Sequence, residues 1–223
     1  MLARLMKIHE DSENVVVKYN ESGEKIISHN DYISVTKAIT DPDFVGSDRK
    51  ALVTGFNMDG YFEKLTEQLS KEGKNADEIK KHLNDLKSNW ESLAKMGTAI
   101  HKITEIAFGN LDYGGNEIIK LFKKSKEYKE VGFRDEDLQI ALEYVTNIKR
   151  QLMTNFPDAK FLPEFKIRTT EGSHKKVVGK IDLLVIDKEG NVHIYDFKAS
   201  PKGYNDFKQV KQITFEYQLA FYR

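Results

Sequence analysis

The chain has 223 residues, 39% hydrophobic and 31% charged, with 35 basic residues balanced by 35 acidic ones and no cysteine. Such a composition describes a soluble globular protein able to bury about 70% of its unfolded surface. It excludes disulfides, thiolate zinc sites and thiolate-held iron–sulfur clusters, and no run approaches the roughly 18 apolar residues of a membrane span.

The opening "MLARLMKIHEDSENV" turns charged before any long apolar core and does not resemble a signal peptide. With the missing cysteines, this fits an intracellular, cytoplasmic setting. Lysine- and asparagine-rich usage suits a bacterium or a phage-infected cell. Residues 14–29, "NVVVKYNESGEKIISH", read as a short hairpin: two β-rich runs around "NESGE". In "DYISVTKAI", Ser34 or Thr36 is expected to cap a short helix. "DPDFVGSDRK" follows as a loop broken by Pro42 and Gly46.

Residues 59–107 read as two helices divided near "KEGKNA". In the second, Ile79, Leu83, Leu86, Trp90, Leu93, Met96 and Ile100 recur at spacings of three and four, an amphipathic stripe. Gly97 interrupts it, and its missing side chain suggests a close backbone approach. The basic run at 120–129, "KLFKKSKEYK", is expected to be a solvated face. A further helix spans Asp135–Asn155, acidic at its start and basic later, in keeping with the macrodipole, and Pro157 stops it. Strands follow in "KFLPEFKIRT" and in the two arms of "GKIDLLVIDKEGNVHIYDFKAS". A final helix fits "NDFKQVKQITFEYQLAFYR". The expectation is one domain over 1–223: a hairpin and lead-in (1–58), a mainly helical part (59–156), then a sheet and closing helix (157–223). Because the helix is still running at Arg223, we expect a fragment of a longer polypeptide.

The second hairpin carries the chemistry. A three-residue loop, Lys188-Glu189-Gly190, with glycine in the left-handed conformation, is a favoured connection and fixes the register. Asp187 then faces Asn191, Ile186 faces Val192, and Asp182 falls opposite Asp196. Lys198 lies two residues beyond Asp196 and shares its face. Both faces of these strands are otherwise largely apolar, as in a covered sheet. Two facing carboxylates there incur a large desolvation penalty unless something neutralises them. A divalent cation does so; magnesium takes carboxylate and phosphate oxygens, and an adjacent lysine can activate a water for phosphodiester hydrolysis. The alternative is that Asp182 and Asp196 sit half-exposed near strand ends with Lys198 as an ion-pair partner.

These residues resemble the PD-(D/E)XK nucleases: Asp, hairpin, then Asp/Glu-x-Lys at the end of the second strand. "GTAIHKITE" (97–105) is similar to the helical Gly-x-x-x-His motif of the RecB-like branch, and "QLAFY" (218–222) to its Gln-x-x-x-Tyr motif. "SVTKAI" resembles the segment that often opens such domains.

The resemblance implies an α/β fold with a restriction-endonuclease-like core, a mixed central sheet flanked by helices, a helical N-terminal half and the short N-terminal hairpin. It implies one or two Mg2+ or Mn2+ ions held by His101, Asp182, Asp196 and the carbonyl of Phe197, with Lys198 catalytic beside the two aspartates. Gln218 and Tyr222 would support the site. Glu105, on the face of His101, either orients it or is solvated; Glu164, in "LPEF", is either a further acidic ligand or a strand-edge charge. Taken alone, a histidine on an apolar helical face such as His101 reads more often as a satisfied core residue, and His174 and His193 read as structural. Lys180, Lys202, Lys208 and Lys211, in the basic segments around the hairpin, would meet DNA in a salt-sensitive way. Tyr204, Phe207 and Tyr222 offer stacking surfaces or core aromatics.

The activity implied is an exonuclease acting on single-stranded or unwound DNA ends and leaving 5′-phosphates, in repair, recombination or phage DNA processing, with a helicase or replication partner. The second reading is a nuclease-like fold kept as an inactive nucleic-acid-binding scaffold; a third is an α/β protein with a chance trio. No Walker-type string marks an ATP motor in the chain.

Overall fold

The computed structural model describes residues 6, 17–19, 25–27, 33–35, 58–168 and 177–199. The expected final helix, with Lys202, Tyr204, Phe207, Lys208, Lys211, Gln218 and Tyr222, lies outside the described residues, as do His174 and the 41–50 loop.

Strands β1 (Val17–Tyr19) and β2 (Lys25–Ile27) pair antiparallel with Val17 opposite Ile27, forming the first hairpin. In the next segment Ser34 joins Ile33 in β3 (Ile33–Ser34), which pairs in parallel with Val177 and Val178, and Val35 directly after it is helical. Thr36, the alternative cap, lies outside the described residues.

Helices α1 (Met58–Lys71) and α2 (Ala76–Gly109) divide where the glycine and asparagine predict. At the start of α2, Asn75 Oδ1 accepts the Glu78 N–H at 3.0 Å and the Glu78 carboxylate accepts the Asn75 N–H at 2.9 Å. This reciprocal cap satisfies two orphan donors. α2 runs unbroken through Gly97, and its buried face continues beyond it through Ile100, Ile103 and Ala107. The basic run at 120–129 falls on α3 (Gly115–Phe122) and α4 (Lys126–Val131). Lys120, Lys123, Lys124 and Lys129 are exposed as expected, while Phe122 is wholly buried against the rings of Tyr128 and Phe133.

Helix α5 (Asp135–Asn155) has three acidic residues in its first turn and no basic residue in its last. Lys149 does not complement the macrodipole at the surface. It is buried at 8% exposure, and its ammonium donates to the carbonyls of Leu111 at 2.7 Å and Tyr113 at 3.3 Å, tying α5 to the α2–α3 connection.

β4 (Lys160–Arg168), β5 (Val177–Ile186) and β6 (Val192–Tyr195) form the body of a mixed sheet. β4 and β6 run antiparallel to β5 on its two edges, and β3 joins the β6 edge at the start of β5. The hairpin register is the expected one: Ile186 pairs with Val192 and Leu183 with Tyr195. Gly190 takes φ +89° at the third loop position, where an L side chain would be strained.

One face of the sheet packs on α2, α3 and α5. Its core joins Ile100, Ile103 and Phe108 of α2, Phe122 of α3, Leu138 and Val145 of α5, and Leu183, Val185 and Phe197. The opposite face gathers Phe165, Ile181, Leu184 and Ile186 with Met6, Leu162, Ile167 and Ile194.

Candidate functional site

In a regular strand Ile181 and Leu183 share a face. Here Leu183 joins the helix-side core while Ile181 joins the other layer. β4 breaks its alternation on the same rung: Phe161 packs on the helix side, whereas Phe165 and Ile167 pack opposite. The ladder pairs Pro163 with Leu183 and Phe165 with Ile181, so Glu164 and Asp182 face each other between these rungs. Glu164 accommodates the switch by taking φ +53°, a left-handed conformation that is costly for a side-chain-bearing residue. Strict alternation would send Asp182 away from α2, in company with Leu184 and Ile186. The switch instead turns Asp182 and Glu164 toward α2.

His101 meets them there. Its Nδ1 lies 3.1 Å from Asp182 Oδ1. The other Asp182 oxygen accepts the backbone N–H of Phe197 at 2.7 Å. Asp182 is only 8% exposed, so these bonds replace the water its carboxylate has lost. The hydrogen bond to Asp182 raises the pKa of His101 in spite of burial. One ligand atom from each of His101, Glu164 and Asp182 lies within 4.8 Å of the other two.

Beside this group Lys198 grips both oxygens of Asp196, at 2.8 and 2.6 Å. Burial nevertheless holds the Asp196 carboxyl above its usual pKa, and the negative charge of Asp182 pushes the same way against the Lys198 ammonium. Three carboxylates, Glu164, Asp182 and Asp196, thus lie beside Lys180, His101 and Lys198. One imidazole nitrogen with two carboxylate oxygens is a donor set that fits a divalent cation.

The expected residues come together unevenly. His101 and Asp182 touch; Glu164 joins them as the neighbouring-strand acid; Asp196 is held by Lys198 and is not one of the three converging ligands. Phe197 contributes its N–H to Asp182. Glu105 does not orient His101: its carboxylate pairs with Lys102 at 2.7 Å, and the acceptor beside His101 is Asp182 itself. His193 is structural, bonded to Asp187 at 3.0 Å and packed on the ring of Phe156. Gly97 lies beside Ala199, and an added Cβ there would meet Ala199 Cβ at an ordinary 3.6 Å.

Lys180 forms an ion pair with Glu164, its side chain half in solvent. Lys166, which the sequence reading did not single out, stands directly opposite Lys180 on the adjacent strand. A signal for it was present: "EFK" at 164–166 repeats the acid-Phe-Lys pattern of "DFK" at 196–198.

A mixed sheet backed by helices carries an acidic cluster able to hold a cation, with a lysine at the end of a hairpin beside it. Residues 64–223 match the PD-(D/E)XK nuclease superfamily, and the chain belongs to it. The α/β arrangement is accordingly the restriction-endonuclease-like one, and membership implies a metal-dependent nuclease with DNA as substrate. The chain has no significant match among curated proteins or solved structures. No helix among the described residues is long and apolar enough to cross a membrane.

Proposed function

We propose that the protein is a Mg2+- or Mn2+-dependent deoxyribonuclease of the RecB-like branch, working as an exonuclease on single-stranded or unwound DNA ends. The observation that carries this reading is the convergence of His101, Glu164 and Asp182 beside the Asp196–Lys198 pair. RecB-like assignment is supported by His101 lying four residues after Gly97 on α2 with its imidazole against Asp182.

His101, Glu164 and Asp182 would hold the cation, with Asp196 next to them. Bound there, a divalent ion supplies charge neutralisation and polarises the scissile phosphodiester. Phe197 fixes the orientation of Asp182 through its N–H, and Asp182 fixes the ring of His101. Lys198 orients a water and stabilises charge developing on the phosphate. The water oxygen attacks phosphorus, the P–O3′ bond breaks, and the departing oxygen takes up a proton. The products are 5′-phosphate and 3′-hydroxyl ends. By the family resemblance Gln218 and Tyr222 would support the site, and Lys180, Lys202, Lys208 and Lys211 would meet the DNA backbone. A helicase or recombination partner would deliver unwound ends in repair, recombination or phage DNA processing.

End-labelled single- and double-stranded DNA incubated with Mg2+ or Mn2+ tests the reading. We expect cleavage by the native chain, and cleavage lost with DNA binding kept in Lys198→Ala. A native chain that binds DNA but cleaves neither form with either ion is an inactive scaffold, and the enzymatic reading is then wrong.

A further inference from the structure

A cleft runs along the helical layer from the converging ligands. Lys102, Glu105, Ile106 and Gly109, spaced three and four apart on α2, form one wall. His101 stands one turn before Glu105, so the ligand group lies at the head of that wall. Leu121, Lys124 and Lys126, from α3 to the start of α4, form the facing wall, and Tyr113 lies beyond the stop of α2. The space between is about 650 Å3, a volume typical of sites that seat a small ligand. Its lining is of two kinds. Ile106 and Tyr113 are half-buried and Leu121 is exposed, which gives an apolar and aromatic bed. Around it three ammonium groups face the carboxylates of Glu105 and Glu127. Lys102 pairs with Glu105 at 2.7 Å and lies within electrostatic reach of both Glu127 in the cleft and Glu164 in the ligand group. Lys124 and Lys126 are exposed, and Lys126 meets Glu130 at 3.5 Å with both side chains well in solvent, a pair that contributes little.

We propose, resting on the nuclease reading above, that this cleft seats the nucleotide next to the scissile phosphate of a single DNA strand: its base lies on Ile106, Tyr113 and Leu121, and its outer phosphate meets Lys124 and Lys126. An apolar and aromatic bed edged by ammonium groups matches a unit with one flat face and one negative charge. The scissile phosphate belongs at the ligand group, and one turn of α2, about 5.4 Å, separates His101 from Glu105 in the cleft wall, a step of the order of one nucleotide on an extended strand. A base can reach the bed only when it is out of its stack, so the cleft selects unwound strands over intact duplex. Every base offers a flat face, so the contact selects strandedness without selecting sequence.

Two measurements on the full chain test the seat. Binding of a short single-stranded oligodeoxynucleotide in Ca2+ is followed by fluorescence anisotropy across salt concentrations. The variants are Lys124→Gln and Lys126→Gln in the cleft, with Lys120→Gln and Lys129→Gln as controls, exposed lysines of the same run that do not line it. One lost lysine–phosphate contact lowers the slope of log affinity on log salt by about 0.7 for single strands. We expect that fall in each cleft variant and the wild-type slope in both controls. Slopes that fall alike in all four variants, or in none, overturn the proposal. Separately, the same oligodeoxynucleotide with iodouracil in place of thymine is irradiated on the wild-type chain, and the crosslinked peptide is read by mass spectrometry. We expect the crosslink at Tyr113; crosslinks confined to other segments overturn the base seat. Wild-type cleavage with Mg2+ separates the two levels. If cleavage is present while the slopes fail, only the cleft is wrong; if there is neither cleavage nor DNA binding, the nuclease reading is wrong and the cleft with it.

Discussion

Asp182 Oδ1 lies 3.1 Å from His101 Nδ1, joining the middle of the central strand to the helix packed over it. This contact places a carboxylate and an imidazole on one small volume while the other Asp182 oxygen is occupied by Phe197 N–H.

Replacing Asp182 by Asn separates these duties. The amide oxygen still accepts the Phe197 N–H, so the far-ultraviolet circular dichroism spectrum should match the wild type. The anionic donor is gone. Since residues that merely support a metal ligand contribute about 10–100-fold in affinity, losing this donor should weaken Mn2+ binding by at least that much in calorimetry. Unchanged Mn2+ affinity would remove Asp182 from the ligand set.

Glu164 combines a left-handed backbone with a useful carboxylate. Glu164→Gly and Glu164→Ala both delete the carboxylate, but only glycine accepts φ +53° without strain. The glycine variant should therefore be the more stable of the two by about 1 kcal/mol in urea unfolding. Equal stabilities would mean that the kink at this rung is not intrinsic to position 164.

Gly97 lies inside α2 with room for a methyl against Ala199. Alanine is the better helix former by roughly 0.5–1 kcal/mol. Gly97→Ala should raise the unfolding midpoint accordingly, with cleavage retained. A fall in stability would show that α2 and residue 199 approach more closely than 3.6 Å allows.

Asp187 staples the hairpin: it accepts from Asn191 N–H at 2.7 Å and from its side-chain amide, and bonds His193. Those partners, His193 foremost, hold its pKa down to about 2 from 3.8. A carboxyl with a depressed folded pKa contributes stability that is complete above the unfolded value and lost as pH falls through the folded one. Wild-type stability should thus decline between about pH 4 and pH 2 more steeply than that of Asp187→Asn, read from urea midpoints. Parallel declines would remove Asp187 from the acid response.

Much of this was legible locally. The bounds of α5, the division between α1 and α2, the three-residue loop ending in Gly190 and the register that follows from it are short-range consequences of periodicity, caps and turn chemistry. Helices α3 and α4 were hidden because each is short and lysines dominate 120–129, although Ile118 and Phe122 mark the buried side of α3. The strand at Ile33–Ser34 was hidden because its pairing partner is more than a hundred residues away, at Val177 and Val178.

The amino-acid order by itself determined which groups could do chemistry: Asp182, Asp196 and Lys198 at fixed offsets around one turn, and His101 on a long amphipathic helix. Only the tertiary structure decided which of them meet. A period of two assigns Asp182 to the face of Leu184 and Ile186, and the paired irregularity at Glu164 and Asp182 turns it instead toward α2 and His101. Side-chain direction in a strand is set by backbone dihedrals at each residue, and a break in alternation is stabilised by what packs on both layers at once. That information is spread over distant segments and is absent from any one of them.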